Sequence, residues 1–193
     1  MLRKDQPGVS ILIPYPKQPL LDSSALARAV IARWAFKIQD GGLVVRIRHN
    51  ETLVHELKAS TLRNEILSLN WDVEDATIGS KDELNPANRS SDQWISALNL
   101  VDWSKSVPSD GHFTTNPAGG GHAPTWANCL GEDDMTALRQ RFNSGENVKV
   151  TVHPYVTRYG KGSTLGEFTI LMKKATVAES TQFYVREGMM VPF

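Results

Sequence analysis

Residues 160–164, Gly-Lys-Gly-Ser-Thr, are the part of the chain whose types and spacing most directly suggest chemistry. Backbone amides converge in a glycine-rich turn and cradle a phosphate, while a lysine neutralises its charge. The nucleotide-binding form of that turn requires a glycine five residues before the Gly-Lys pair, a hydroxyl residue directly after the lysine, and a helix beyond. Tyr155 and Gly162 stand at those two positions, and the following EFTILM reads as a strand. The segment therefore reads as a flexible hairpin loop between antiparallel strands, with Lys161 a mobile cation at its tip.

A second glycine-rich stretch, NPAGGGH at 116–122, also lacks a strand-to-helix setting and reads as a hinge. His112, His122 and Cys129, with Asp110 as a fourth donor, have the residue types of a zinc site, on which a metal-dependent hydrolase would be built. Structural zinc favours close-spaced ligand pairs, whereas nine and six residues separate these three, so no metal ligand is expected. Glu132, Asp133 and Asp134 resemble an acid/base or magnesium cluster in type, yet carboxylates in a first helical turn are accounted for by the exposed amides there. Arg46, Arg48 and His49, or Lys173 and Lys174, are candidates for phosphate contact. Without an aromatic platform between them, a solvated face is the expectation. Cys129 and His153 carry no local nucleophile signature, which argues against a cysteine hydrolase. The chain by itself is thus expected to hold no complete active site.

The elements that position these residues follow from the apolar pattern. Residues 9–13 form a β-branched run opened by Pro7-Gly8 and closed by Pro14, a short buried strand. Asp22 or Ser23 caps a helix over 23–39, in which Leu26, Val30, Trp34 and Ile38 form an apolar line that Gly41-Gly42 ends. Residues 43–48 alternate, with Leu43, Val45 and Ile47 on one face and Val44, Arg46 and Arg48 on the other, as in a half-buried strand. Residues 53–57 fit a strand or a helix start. Ser60 caps a helix with Leu62, Ile66 and Leu69 on one face, and Ser91 caps a short helix carrying Trp94, Ile95 and Leu98. Between them, residues 71–91 are polar and Asn-rich, a surface excursion. Residues 104–128 lose periodicity and collect Pro108, Pro117, Pro124 and three consecutive glycines, a long irregular loop. The segment EDDMTALRQRFNSG is a helix with its charges ordered along the dipole. NVKVTVHPYVTR, EFTILMKKA and TQFYVREGMMV then read as three strands.

Composition sets the outer limits. At 193 residues the chain is long enough for one good-sized domain, which at this length buries about 70% of its unfolded surface. Its 21 basic residues balance 21 acidic ones, so no overall field steers it to nucleic acid, membrane or acidic substrate. A single cysteine excludes an internal disulfide and points to a reducing compartment. The apolar run VSILIPYP is too short for a signal peptide and is broken by two prolines. A cytoplasmic location with no membrane partner is the expectation. The chain ends on Met-Met-Val-Pro-Phe straight after a strand, which predicts that it is a piece of something larger.

Two separated stretches resemble the GHKL-type, Bergerat-fold ATP-binding proteins of bacteria. PGVSILIPYP, at 7–16, is similar to the closing strand of their ATPase domain. The helix that follows and the strand LVVRIRH resemble the start of the next, transducer-like domain, and the order of strand, Gly-rich loop, EFTILMKK and FYVREGM resembles its end. The resemblance covers about the first and last fifty residues and leaves the middle unassigned. It implies that residues 1–16 close a missing ATPase domain and that 17–193 form a transducer-like domain with a long loop at about 104–128. The family's magnesium-binding Glu/Asn helix and Asp-x-Gly-x-Gly nucleotide loop have no counterpart here. ATP and Mg are therefore expected only with a partner nucleotide-binding domain or subunit. In this family a transducer lysine often reaches the γ-phosphate across the domain interface. The resemblance makes Lys161 the candidate for that catalytic contact, with Arg158 and Arg186 as rivals for the nucleotide.

The expected fold is α+β, a mixed, largely antiparallel sheet with helices on one face in a transducer-like two-layer domain. A βαβ crossover is possible in the first fifty residues. The expected function is a non-catalytic segment that couples the nucleotide state of a partner domain to a conformational change, possible also as a homo-oligomer. The alternative is a protein- or nucleic-acid-binding module acting through the long loop and the arginine-bearing strand. The metal-dependent hydrolase is the third reading.

Overall fold

The structure is a computed structural model. It describes residues 22–49, 51–71, 89–114, 132–153, 155–158, 161–164, 167–174 and 183–190. The expected strand at 9–13, the crossover that would include it, and the hinge at 116–122 lie outside these. The fold is α+β, with four helices and nine short strands among the described residues. The chain divides into two units, Met1–Leu98 with Thr181–Phe193, and Asn99–Ser180.

In the first unit, Asp22 caps α1 (Ser23–Gln39), its carboxylate accepting the Ser24 N–H at 2.9 Å. At the other end Gly41 has φ 75°, and Gly41 and Gly42 donate to the Ile38 and Lys37 carbonyls at 2.9 and 3.0 Å. Both ends match the sequence reading, but the buried face does not. Trp34 is 37% exposed, and the core side carries Ala27, Ile31, Ala35 and Ile38, flanked by Ala25, Arg28, Ala32 and Phe36. Large apolar residues occupy both lines, so spacing alone did not separate them. The alanines let neighbouring elements approach the helix closely.

β1 (Val45–His49) and β2 (Thr52–Leu57) form an antiparallel ribbon with a register shift between Ile47 and Arg48. This settles the ambiguity at 53–57 as strand. Ile47 and Leu57 enter the core. α2 (Leu62–Ser68) buries Leu62 and Ile66, and Leu69 just beyond it is buried too. Its N-cap is Thr61 rather than Ser60. The Thr61 hydroxyl bonds back to the Glu56 carbonyl and accepts the Lys58 N–H at 3.2 Å, tying the helix start to the end of β2.

α3 (Ser91–Ser106) begins one residue after its true cap. Ser90 Oγ accepts the Gln93 N–H at 3.3 Å, and Gln93 Oε1 accepts the Ser90 N–H at 2.8 Å, a reciprocal capping box. The division between units falls within this helix, after Leu98. At 16 residues it is longer than expected and reaches into the stretch read as loop. Trp94 and Leu98 are fully buried. Trp94 sits beside Phe36, Trp71 and Phe183, with ring centroids 6.4, 6.0 and 5.3 Å away. The Arg89 guanidinium lies 4.3 Å from the Phe183 ring centre, and burial pushes its pKa down.

The segment read as one terminal strand is a small hairpin, β8 (Val185–Arg186) with β9 (Met189–Met190). Glu187 and Gly188 form its turn, at φ 52° and 79°. A Cβ on Gly188 would also stand 3.1 Å from the Lys37 Cα, so both the conformation and the close approach to α1 require glycine here.

The second unit is built on β3 (Gly111–Thr114), β4 (Val148–His153) and β7 (Phe168–Met172), in the order β3-β4-β7. β3 runs parallel to β4, and β7 antiparallel. The connection from β3 to β4 contains α4 (Glu132–Asn143). Met135, Leu138 and Phe142 of α4 pack on Phe113, Val148, Val150 and Val152, so one sheet face is covered by helix. Pairing is mixed and largely antiparallel, as expected, but among the described residues it is spread over four small sheets.

One break between them falls at position 154, a proline in the sequence. It has no N–H for a ladder and stands between β4 and β5 (Tyr155–Arg158). Among the described residues β5 pairs with β6 (Lys161–Thr164) alone. The inner ladder ends at Val152 opposite Phe168 and the outer one starts at Tyr155 opposite Thr164, a register change of one residue.

Candidate functional site

The residues nominated from the sequence fall in both units. Arg158 ends β5 and Lys161 begins β6, and their Cα atoms are direct partners in the antiparallel pairing. Lys161 thus belongs to a strand rather than to a loop tip, and only residues 159–160 connect the two strands. The register sets two cationic residues opposite each other at the closed end of the ribbon. Arg186, in β8, is exposed and belongs to the other unit.

β4 organises the polar surroundings of the second unit. Asp110 donates its N–H to the Lys149 carbonyl at 2.7 Å, and its Oδ2 accepts the Lys149 N–H at 2.8 Å. Its Oδ1 accepts from Arg141 near the end of α4, and Arg141 also donates to Glu146 at 3.0 Å. These carboxylates, Asp110 before Glu146, hold the Arg141 guanidinium above its ordinary pKa, and Arg141 holds Glu146 below the usual carboxylate range. Asp110 is therefore a strut joining the entry to β3, the start of β4 and the end of α4, not a metal ligand. Lys149 Nζ donates to the Ser104 and Val107 carbonyls at 2.6 and 2.9 Å, at and just beyond the end of α3.

His112 and Thr151 are register partners on β3 and β4, and His153 lies two residues further along β4 on the same face. The His112 and His153 rings are 6.1 Å apart between centroids and 15° from parallel. Beside them Ser109 Oγ and Thr151 Oγ1 are 2.8 Å apart. Sequence reasoning took His112 and His153 separately, because nothing in the spacing announces that β3 and β4 are parallel neighbours. His122 and Cys129 lie outside the described residues, among which no group of three His, Cys, Asp or Glu side chains could hold a metal.

The remaining candidates take the unreactive roles. Glu132, Asp133 and Asp134 are exposed in the first turn of α4. Lys174 donates to the Asn143 carbonyl at 3.1 Å, a cation on the carboxyl end of α4. Arg46 donates to Glu56 at 2.7 Å, and Glu56 also accepts from Lys58 at 2.5 Å; Lys58 first, then Arg46, holds the Glu56 carboxyl below its ordinary range. Arg48 donates to the Glu51 carbonyl at 2.9 Å. These arginines are engaged within the ribbon.

One polar pair was missed. His55 on β2 and Glu65 on α2 meet at 2.8 Å through Nδ1 and Oε2. The carboxylate fixes the proton on Nδ1 and turns Nε2 inward, where it is buried with no hydrogen-bond partner. With Nε2 sealed from solvent, the pair orients strand against helix. Among the described residues no helix is long and apolar enough to cross a membrane. Compared with protein-family models, with curated proteins and with solved structures, the chain matches none.

Proposed function

We propose that this chain is a transducer-like, non-catalytic segment of a bacterial GHKL-type ATPase, working in the cytoplasm. The sequence resemblance sets the class, and the register opposition of Arg158 and Lys161 is the observation that carries the functional reading. Two cationic residues at the closed end of a two-stranded ribbon are suited to meet an anion held by another domain. A cation delivered to the γ-phosphate stabilises charge that develops during phosphoryl transfer. Lys161 takes that role in this reading, with Arg158 beside it. Arg186 is the rival on the other unit. ATP and Mg would be held by the partner nucleotide-binding domain or subunit, and a homo-oligomer would bring two such ribbons to paired sites.

The test has two arms. The purified chain with Mg-ATP should show no turnover. Joined to its cognate nucleotide-binding domain it should support turnover that Lys161→Ala lowers by about 10²-fold, with ATP affinity little changed. Turnover by the isolated chain, or full activity of the joined Lys161→Ala and Arg158→Ala double variant, would overturn the proposal.

A protein-binding module is the second reading. Val44, Leu53 and Val54 are exposed on and beside the β1–β2 ribbon, whereas Arg46 and Arg48 are held locally. This favours a protein partner over nucleic acid. Mobility titrations against salt check it, since phosphate contacts give a steep salt slope.

A further inference from the structure

His112 and His153 come from neighbouring parallel strands and share the sheet face opposite the one covered by α4. His112 is exposed and His153 half-buried, so the pair is open to solvent. Among the described residues neither imidazole has a hydrogen-bond partner that would occupy its nitrogens. His153 is the last residue of β4, the end at which open sheets carry their ligands, and His112 is the second residue of β3 beside it.

We propose that His112 and His153 form a two-imidazole site for a divalent transition-metal ion of the copper, nickel and zinc class. Imidazole suits these ions, and affinity should follow the order set by the metal, copper above nickel and zinc. With metal–nitrogen bonds of about 2.0–2.1 Å, two imidazoles on a tetrahedral ion have ring centroids about 5 Å apart. The observed 6.1 Å separation is about 1 Å longer. A change at χ1 swings the rings and closes that gap without moving either strand, and χ2, a broad torsion for histidine, then turns the near-parallel rings so that their nitrogens face one ion. Water would complete the coordination, which makes the site exchangeable and leaves positions open to a further ligand. It goes beyond the transducer reading and does not depend on it. It also differs from the grouping of His112, His122, Cys129 and Asp110 weighed and set aside from the sequence, since Asp110 is committed to Lys149 and Arg141.

The chain has five histidines, which can be followed individually by their imidazole proton resonances. Substoichiometric Cu²⁺ or Ni²⁺ should broaden the His112 and His153 signals together and before the others. Zn²⁺ titration by calorimetry should give one site that His112→Ala and His153→Ala each weaken by about tenfold or more, while His49→Ala leaves it intact. Because the ion bridges β3 and β4, a hundredfold excess over Kd should raise the unfolding midpoint by roughly 5–10 °C. Earlier broadening of a different histidine, or equal binding by the double variant, would overturn the proposal. Should His153→Ala not fold, the resonance experiment on the unaltered chain still decides.

Discussion

Removal of the Asp110 carboxylate is the sharpest test of how the second unit is held together. Its side chain is 17% exposed and both oxygens are used, one by the Lys149 N–H at 2.8 Å and one by Arg141. A hydrogen bond to a charged group contributes about 1.5–3 kcal/mol. Water can reach the Lys149 amide once the carboxylate is gone, so the low end applies. The Arg141 side chain is 39% exposed, and an ion pair that open contributes at most about 1 kcal/mol. Asp110→Ala should therefore cost about 1.5–2.5 kcal/mol. Asp110→Asn keeps an acceptor for Lys149 and loses the charge, so about 1 kcal/mol is expected; Arg141→Ala should cost no more. Urea denaturation gives the three differences, and hydrogen exchange at the Lys149 amide localises them. That amide should exchange faster in Asp110→Ala and little faster in Arg141→Ala. A loss under 0.5 kcal/mol in Asp110→Ala, with Lys149 protection unchanged, would refute the strut.

Three further outcomes follow from other contacts. Ser90→Ala breaks the capping box of α3 and should cost about 1 kcal/mol in urea denaturation, with faster amide exchange confined to the first turn. Phe183→Leu removes a ring edge-on to Phe36 and near Trp94, and the face under Arg89; a loss of about 2 kcal/mol and a changed tryptophan emission are expected. Glu56 is held below its ordinary range by Lys58 and then Arg46. Its contribution to stability is therefore present above the unfolded-state value and lost as pH falls through the lower folded-state value. A carboxyl-carbon titration should place its midpoint below that of an unperturbed glutamate, and Lys58→Ala should raise it.

The ends of α1 and α4 were legible, whereas the caps of α2 and α3 were each read one residue away, Ser60 for Thr61 and Ser91 for Ser90. Asp22 and Gly41 bound α1, and the acidic first turn and Gly145 bound α4, because caps and dipole contacts act within one turn. The buried face of α1 was not legible, since Leu26 and Val30 compete with Ile31 and Ala35 and only packing decides between them. β3 was invisible for a different reason. Gly-His-Phe-Thr has no alternation of its own within a proline- and glycine-rich stretch, and its strand character comes from its neighbour β4. The His112–His153 pair inherits that invisibility. Lys161 was found by composition, but its placement in a strand opposite Arg158 required the register.

That register bears on the transducer reading. Like charges directly opposite on paired strands are destabilising by about 0.2–1 kcal/mol. Charged residues do guard exposed sheet edges, lysine above all, and such a guard works by interrupting the length of an edge. β5 and β6 read Tyr-Val-Thr-Arg and Lys-Gly-Ser-Thr, with one charge each, both at the closed end. No other position of the two strands carries a charged residue. Concentrating two cations at one end carries a cost that a bound anion removes. In the proposed transducer role, a phosphate held by the partner domain would offset that cost at positions 158 and 161.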